Sequence, residues 1–121
     1  MIGLNCVSSR LIFARFKGQG IHLSIIQSYA PTSASSAEEI DRFYNELQST
    51  YDGIDKSDLV LLMGDWNAKV GDDWKRWTPV IGKFGLPGCN ERGLRLLEFC
   101  RSNDLGITNT FFKHKPNRKW T

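Results

Sequence analysis

An acid and an amide follow an apolar run in the segment LLMGDWNAKVG, residues 61–71. Asp65 and Asn67 are two positions apart, so on an extended chain their side chains would point to one side and Trp66 to the other. A carboxylate can accept a proton from a water molecule while an amide orients that water. The pair could therefore prepare a water to attack a phosphorus atom. The alternative is a turn closed by one of these polar side chains over a buried Trp66, and spacing alone favours it.

A phenol also follows an apolar run, in the segment QSYAPT, residues 27–32. The hydroxyl of Tyr29 could donate a hydrogen bond to a phosphate oxygen. Tyr29 could equally be a core residue at a strand end, and this segment alone favours that interpretation. A third segment, ITNTFF, carries Asn109 among polar threonines, and an alternating, half-exposed strand is its simplest interpretation.

The last segment of the chain, FFKHKPNRKW, interleaves basic and aromatic side chains. Lysine and arginine bind phosphates, and aromatic rings stack on bases. The candidate DNA-contact residues are Asn109, Lys113, Lys115 and Arg118. A solvated loop is an equally good interpretation of this segment.

Motifs for other chemistry are absent from the sequence. His22 and His114 have no identifiable serine, cysteine or carboxylate partner, and two histidines do not suffice for a multi-histidine metal site. The glycine motifs of nucleotide-binding loops are missing, so we expect no small-molecule cofactor. The three cysteines, Cys6, Cys89 and Cys100, are odd in number and lack a close pair, which predicts reduced thiols.

The elements that would position these residues mix strands and helices. Apolar runs at Leu11–Phe16 and residues 21–30 predict an antiparallel hairpin across KGQG. The segment SASSAEEIDRFYNELQSTY predicts a helix, with Ser35 or Ser36 as its cap and Gly53 at its end.

The second half of the chain continues this mixture. The apolar residues 59–63 predict a strand buried on both faces, and residues 68–88 predict a long functional or mobile loop. A second helix is predicted in NERGLRLLEFCRSNDLG, with Asn90 as its cap. Its core-facing residues would be Leu94, Leu97 and Cys100, or Leu96 with Phe99. With ITNTFF as a last strand, the order is β-β-α-β-loop-α-β, which predicts a sheet packed by helices.

Composition and charge set limits on the class of protein. The chain has 121 residues, of which 40% are hydrophobic, and no apolar run approaches the roughly 20 residues of a membrane-spanning helix. It also lacks a secretory signal pattern, so the sequence predicts an intracellular protein, with the nucleus as one location.

Residues 38–58 carry seven acids and two bases, whereas the remainder carries 14 bases and six acids. This asymmetry suits a protein that turns a basic surface toward a polyanion, and chance clustering on a solvated surface explains it equally well.

Taken in order, the segments QSYAPT, GDWNAKVG, NERG and TNTFF resemble the endonuclease/exonuclease/phosphatase superfamily. The closest resemblance is to the endonucleases of RTE-type LINE retrotransposons and to craniofacial development protein 2-like sequences. It runs from about Ser9 to the last residue, with Trp66 where the family more often has Phe. The resemblance implies one partial domain, residues 1–121, with an α/β fold that is a partial two-layer β-sandwich with flanking helices, truncated at both ends.

The resemblance also implies an activity, the Mg²⁺-dependent hydrolysis of a DNA phosphodiester, with Mn²⁺ as an alternative ion. By motif position Tyr29 would contact the scissile phosphate, Asp65 would activate or orient the attacking water, and Asn67 would hold that water and the phosphate. The family's early Asn, its metal-binding Glu and its terminal Asp-His pair have no match here, so the metal ligands stay unassigned.

The implied function is a retrotransposon-type DNA endonuclease, present as a fragment with little activity of its own. A nucleic-acid-binding remnant without catalysis is the alternative, and a lipid or inositol phosphate is the alternative substrate. Oligomeric state does not follow from the sequence.

Overall fold

The computed structural model describes residues 3–32 and 34–112, which fall into two compact units. The first unit ends at Trp66 and the second begins at Asn67. In chain order the first unit contains β1 (Gly3–Cys6), β2 (Leu11–Phe16), β3 (Leu23–Tyr29), α1 (Ala37–Asp52) and β4 (Leu59–Asp65). The sheet has the order β1-β2-β3-β4, in which only the pairing of β3 with β4 is parallel. The structure is therefore mixed α/β, and the predicted hairpin of β2 and β3 is confirmed.

Helix α1 begins and ends where its sequence signals predict. The Ser36 side chain caps it by accepting a hydrogen bond from the Glu39 N–H at 3.2 Å, and Gly53 follows its last turn. The apolar stripe of α1 is buried and consists of Ile40, Phe43, Tyr44 and Leu47. Alternate residues of β3 are also buried, and these are Ser24, Ile26 and Ser28. The core of the first unit thus combines one helix stripe with one face of the sheet.

The other face of the sheet is apolar and exposed, which corrects the prediction for residues 59–63. Strand β4 is not buried on both faces, because Leu59, Leu61 and Met63 are 59%, 44% and 44% exposed. Within the described residues β4 is an edge strand that pairs only with β3. A continuous apolar run alone did not reveal which of its two faces would be covered.

Strand β1 was not predicted from the sequence. All four of its residues are exposed, so it has no pattern of buried positions. Its backbone pairs with β2 in an antiparallel register from Gly3 with Arg15 to Cys6 with Ile12. Backbone pairing, rather than burial of side chains, holds this strand in place.

The second unit is helical in its described residues, which contain no named strand and one isolated bridge between Val70 and Cys89. Its elements are α2 (Trp74–Trp77), α3 (Glu91–Ser102) and a 3₁₀ helix (Thr108–Thr110). The predicted cap of α3 is confirmed, since Asn90 Oδ1 accepts from the Gly93 N–H at 2.7 Å. The buried residues of α3 are Gly93, Leu96, Leu97, Phe99 and Cys100, so both predicted faces contribute except for the exposed Leu94.

The predicted last strand, ITNTFF, is wrong. The segment forms a 3₁₀ turn in which Thr110 Oγ1 donates to the Ile107 carbonyl at 2.6 Å and accepts from the Gly82 N–H at 3.0 Å. Such local side-chain bonds to the backbone compete with strand pairing. The long loop predicted at residues 68–88 likewise contains one short helix, α2.

The described residues contain one named sheet, so the two-layer sandwich stays a prediction. Residues 113–121, which include Lys113, Lys115 and Arg118, lie outside the described residues. No helix that the structure describes has both the length and the apolar character needed to cross a membrane.

Candidate functional site

Tyr29 and Asp65 lie side by side at the carboxyl ends of two parallel strands. They are direct partners in the ladder that joins β3 to β4. Adjacent strands are about 4.8 Å apart, and partner residues project to the same face. Tyr29 is 55% exposed, and Asp65 is exposed as well. A phenol and a carboxylate therefore start from neighbouring backbone positions and face solvent at one edge of the sheet.

Backbone hydrogen bonds position this pair. The Ala30 N–H donates to the Asp65 carbonyl at 2.8 Å, so the parallel ladder continues to the end of both strands. The Tyr29 N–H donates to the Arg10 carbonyl at 2.9 Å, which ties β3 to the start of β2. The two candidate side chains thus project from paired strands, where backbone mobility is low.

Gly64 is required for the close approach of these strands. A Cβ at Gly64 would collide with the backbone of Ser28, the residue beside it on β3. Its φ of 134° is also a conformation that residues with side chains rarely adopt. The sequence-based interpretation of Gly64 as a point of close backbone approach is confirmed.

Arg10 is a third polar residue at this edge, and sequence reasoning did not identify it. Its guanidinium donates to the Tyr29 carbonyl at 3.2 Å, and its Cζ lies 5.8 Å from the centre of the Tyr29 ring. A phenol donor, a carboxylate acceptor and a guanidinium cation therefore belong to one edge. A cation and a phenol can both bind a phosphate oxygen, while the carboxylate can accept a proton. The position of Arg10 beside Tyr29 follows from the register of β2 with β3, because Arg10 is the residue before β2.

Asn67 does not continue the extended chain as predicted. Strand β4 ends at Asp65, and Asn67 has a φ of 47°, so the side-chain alternation of a strand stops before it. Asn67 is the half-buried first residue of the second unit. The predicted opposite orientation of Trp66 agrees with the structure, since its ring lies edge-on to Phe43 in the core, with centroids 6.3 Å apart.

Asn109 lies in the 3₁₀ helix of the second unit, where its Oδ1 atom is buried and has no hydrogen-bond partner within the described structure. Its side chain lines a cavity of about 20 Å³ together with residues of the segments 68–71 and 84–88. That volume accommodates about one water molecule. Direct contact of Asn109 with DNA stays a prediction.

A metal ion would find one carboxylate here, from Asp65. Mg²⁺ in proteins takes oxygen ligands, often one or two carboxylates together with waters and substrate phosphates. Nowhere in residues 3–32 and 34–112 do three His, Cys, Asp or Glu side chains lie close enough to share an ion. These residues do not make a complete metal site, and no chemical step is assigned to an ion.

The opposite end of the parallel strands is held by an ion pair. Arg15 donates from two nitrogens to the Asp58 carboxylate, each at 2.7 Å, and the Ser24 hydroxyl donates to the same carboxylate at 2.6 Å. The Asp58 side chain is 1% exposed. The bonds from Arg15, and then that from Ser24, hold the pKa of Asp58 below its ordinary value despite burial. This clamp joins β2, β3 and the turn before β4, and so fixes the register that places Tyr29 beside Asp65.

Fold and site together define a mixed α/β protein that presents a polar cluster beyond the carboxyl ends of parallel strands, where such folds often bind ligands. Over all 121 residues the chain is similar to craniofacial development protein 2 from Bos taurus, at 43% identity, and from Tragulus javanicus, at 40% identity. It spans 20% and 21% of the lengths of these two relatives. No protein-family profile matches the chain, and no solved structure matches it.

Proposed function

We propose that this chain is part of a phosphodiesterase domain that nicks DNA, with its phosphate site at the edge shared by Tyr29 and Asp65. The register of these two residues is the observation that carries the proposal. A hydrolase of this kind needs a group that accepts a proton from water and groups that bind the phosphate. The edge offers both kinds of group.

The proposed roles follow from the chemistry of each side chain. Asp65 accepts a proton from the attacking water or orients it, and the Tyr29 hydroxyl donates to an oxygen of the scissile phosphate. Arg10 adds a cation beside that phosphate and so balances its charge. Asn67 keeps its role from the resemblance, as a second hold on the water and the phosphate. Mg²⁺, or Mn²⁺, would stabilise charge on the phosphate, with ligands beyond Asp65 supplied from outside the described residues.

The proposal includes a second layer over the exposed face of the sheet. Leu59, Leu61 and Met63 line that face on β4, and Ile12 on β2 is 42% exposed. An apolar face of this kind is commonly covered by another layer of structure. The relatives are about five times as long as this chain and have ample sequence for such a layer. This is the partial two-layer sandwich implied by the resemblance.

The test is plasmid nicking by a chimera, in which this chain replaces the aligned segment of the bovine relative. With Mg²⁺ the chimera should convert supercoiled plasmid to the nicked form, and EDTA should stop it. Asp65→Asn should slow nicking by roughly a hundred-fold or more, because a positioned acid–base group contributes about that factor. The matched control is Asp72→Asn, an exposed carboxylate of the second unit that has no proposed role.

Two results would overturn the proposal. One is nicking that Asp65→Asn and Asp72→Asn leave equally fast. The other is a folded chimera that nicks no DNA, and release of inorganic phosphate from an inositol phosphate by that chimera would redirect the proposal to another substrate.

A further inference from the structure

The second unit contains a cluster in which each of two indole rings faces two cations. Its members, here called the indole–cation cluster, are Trp74, Lys75, Arg76, Trp77, Lys83 and Arg101. The buried half is organised around Trp77, which is 5% exposed. Arg101 Cζ lies 3.9 Å and Arg76 Cζ 5.4 Å from its ring centre, and Arg101 also donates to the Arg76 carbonyl at 2.8 Å. This half ties α3 to α2 and holds the cluster in place.

The exposed half of the cluster surrounds Trp74. The Lys83 and Lys75 ammonium groups lie 5.1 and 5.8 Å from its ring centre, and both lysines are exposed while the indole is half-buried. Two like charges near one ring repel each other. Neither Lys75 nor Lys83 forms an ion pair with a carboxylate of the described residues, so no such carboxylate neutralises these lysines. The neighbouring acids, Asp72 and Asp73, are exposed and make no ion pair with them.

We propose that the exposed half of the indole–cation cluster binds the backbone of a nucleic acid. Lys75 and Lys83 would each neutralise a phosphate and release its condensed counterions, and the accessible part of Trp74 would stack on a base. An indole with two unpaired cations near its ring fits alternating phosphates and bases better than it fits an acidic peptide, because carboxylate side chains have no aromatic ring to stack on the indole. This inference rests on the proposed function, because it identifies a second DNA contact of the same enzyme. Its residues belong to the second unit, whereas Tyr29 and Asp65 belong to the first.

The experiment measures binding of the full chain to fluorescein-labelled oligonucleotides, single-stranded and duplex, by anisotropy across a range of NaCl concentrations. EDTA is present throughout, so that cleavage does not contribute. The double variant Lys75→Ala/Lys83→Ala should bind more weakly. Its slope of log affinity against log salt should shrink by about 1.4 for the single strand and about 1.8 for the duplex, since two phosphate contacts are lost. Trp74→Leu should weaken single-strand binding at least roughly five-fold.

The matched control is Lys17→Ala/Lys56→Ala, which removes two exposed lysines from the first unit and so makes the same change in net charge. Circular dichroism shows whether each variant is folded. The double variant Lys75→Arg/Lys83→Arg retains both charges and should keep the salt slope of the unmodified chain. That result would show that the smaller slope of Lys75→Ala/Lys83→Ala comes from the lost charges.

Three outcomes would overturn the inference. The first is a Lys75→Ala/Lys83→Ala variant whose affinity and salt slope equal those of the control. The second is an unmodified chain that binds neither oligonucleotide at 50 mM NaCl. The third is tighter binding to phosphatidylserine vesicles than to DNA at the same salt, which would assign the surface to membranes. Because the assay contains no cleavage step, a chain that binds through this cluster while the chimera fails to nick would refute the proposed function and leave this inference standing.

Discussion

Tyr29 and Asp65 are direct partners in the parallel ladder of β3 and β4, although the whole of α1 lies between them in the chain. Their placement comes from backbone bonds at both strand ends and from the close approach at Gly64. A site mounted on paired strands is positioned more accurately than one mounted on loops. Tyr29 and Asp65, each a weak signal in the sequence, therefore form one candidate site in the structure.

Gly64→Ala should destabilise the protein and displace Asp65. The new methyl group would meet the Ser28 backbone, and alanine rarely adopts a φ of 134°. We expect the free energy of unfolding to fall by about 1–3 kcal/mol from backbone strain, with the steric clash adding to that loss. Urea denaturation of the full chain measures the change. Gly3→Ala is the matched control, because a Cβ at Gly3 meets nothing within 4 Å; equal losses for the two variants would show that Gly64 is not a point of close approach.

Stability should depend on acid pH through Asp58. Its pKa in the folded protein is lowered from 3.8, mainly by Arg15, so the folded state holds the proton less tightly than the unfolded state. The contribution of Asp58 to stability is therefore fully present above about pH 3.8 and is lost as the pH falls through the lower, folded-state pKa. Asp58→Asn should be less stable at neutral pH and should lose less further stability on acidification.

Urea denaturation at a series of pH values tests this dependence, with Asp72→Asn as a carboxylate control. If Asp58→Asn and the unmodified chain lost equal amounts of stability on acidification, Asp58 would not be the source of this pH dependence. Asp72→Asn should lose as much stability on acidification as the unmodified chain does.

The three thiols should differ in reactivity. Cys100 is 5% exposed, and burial raises the pKa of its thiol to about 12. Cys6 and Cys89 are exposed, although partial burial raises the pKa of Cys89. Because the thiolate is the reactive form, a disulfide reagent such as DTNB should modify two thiols in the native protein and the third only after unfolding. Cys100→Ala should retain both fast reactions, and three fast reactions in the unmodified chain would contradict the buried position of Cys100.

Local signals predicted helices α1 and α3 and their N-terminal caps. Ser36 and Asn90 are capping residues followed by apolar positions at helical spacing, and both signals depend only on neighbours in the chain. The hairpin of β2 and β3 was also predicted, since two apolar runs flank a short glycine-bearing turn. The predictions that failed concerned the exposed face of β4 and the 3₁₀ turn at Thr110, because these depend on what packs or bonds from elsewhere in the chain.

The candidate site was predicted in part. Tyr29 and Asp65 were recognised as polar residues at the ends of apolar strands. Arg10 was missed, because only the pairing of β2 with β3 brings it next to Tyr29. Asn67 was expected on an extended chain, and its φ of 47° shows a turn that the sequence did not reveal. The indole–cation cluster did carry a signal in the sequence, because WKRW at residues 74–77 places two basic residues between two tryptophans. The last segment of the chain likewise combines basic and aromatic residues.

A double-mutant cycle on nicking tests the central claim, that Tyr29 and Asp65 act on one phosphate. Initial rates are measured for the chimera with Tyr29→Phe, with Asp65→Asn and with both changes. Residues that act as a unit have effects that do not multiply. We expect the double variant to be no more than about three-fold slower than the slower single variant. A double variant slowed by the full product of the two single effects would contradict a shared site.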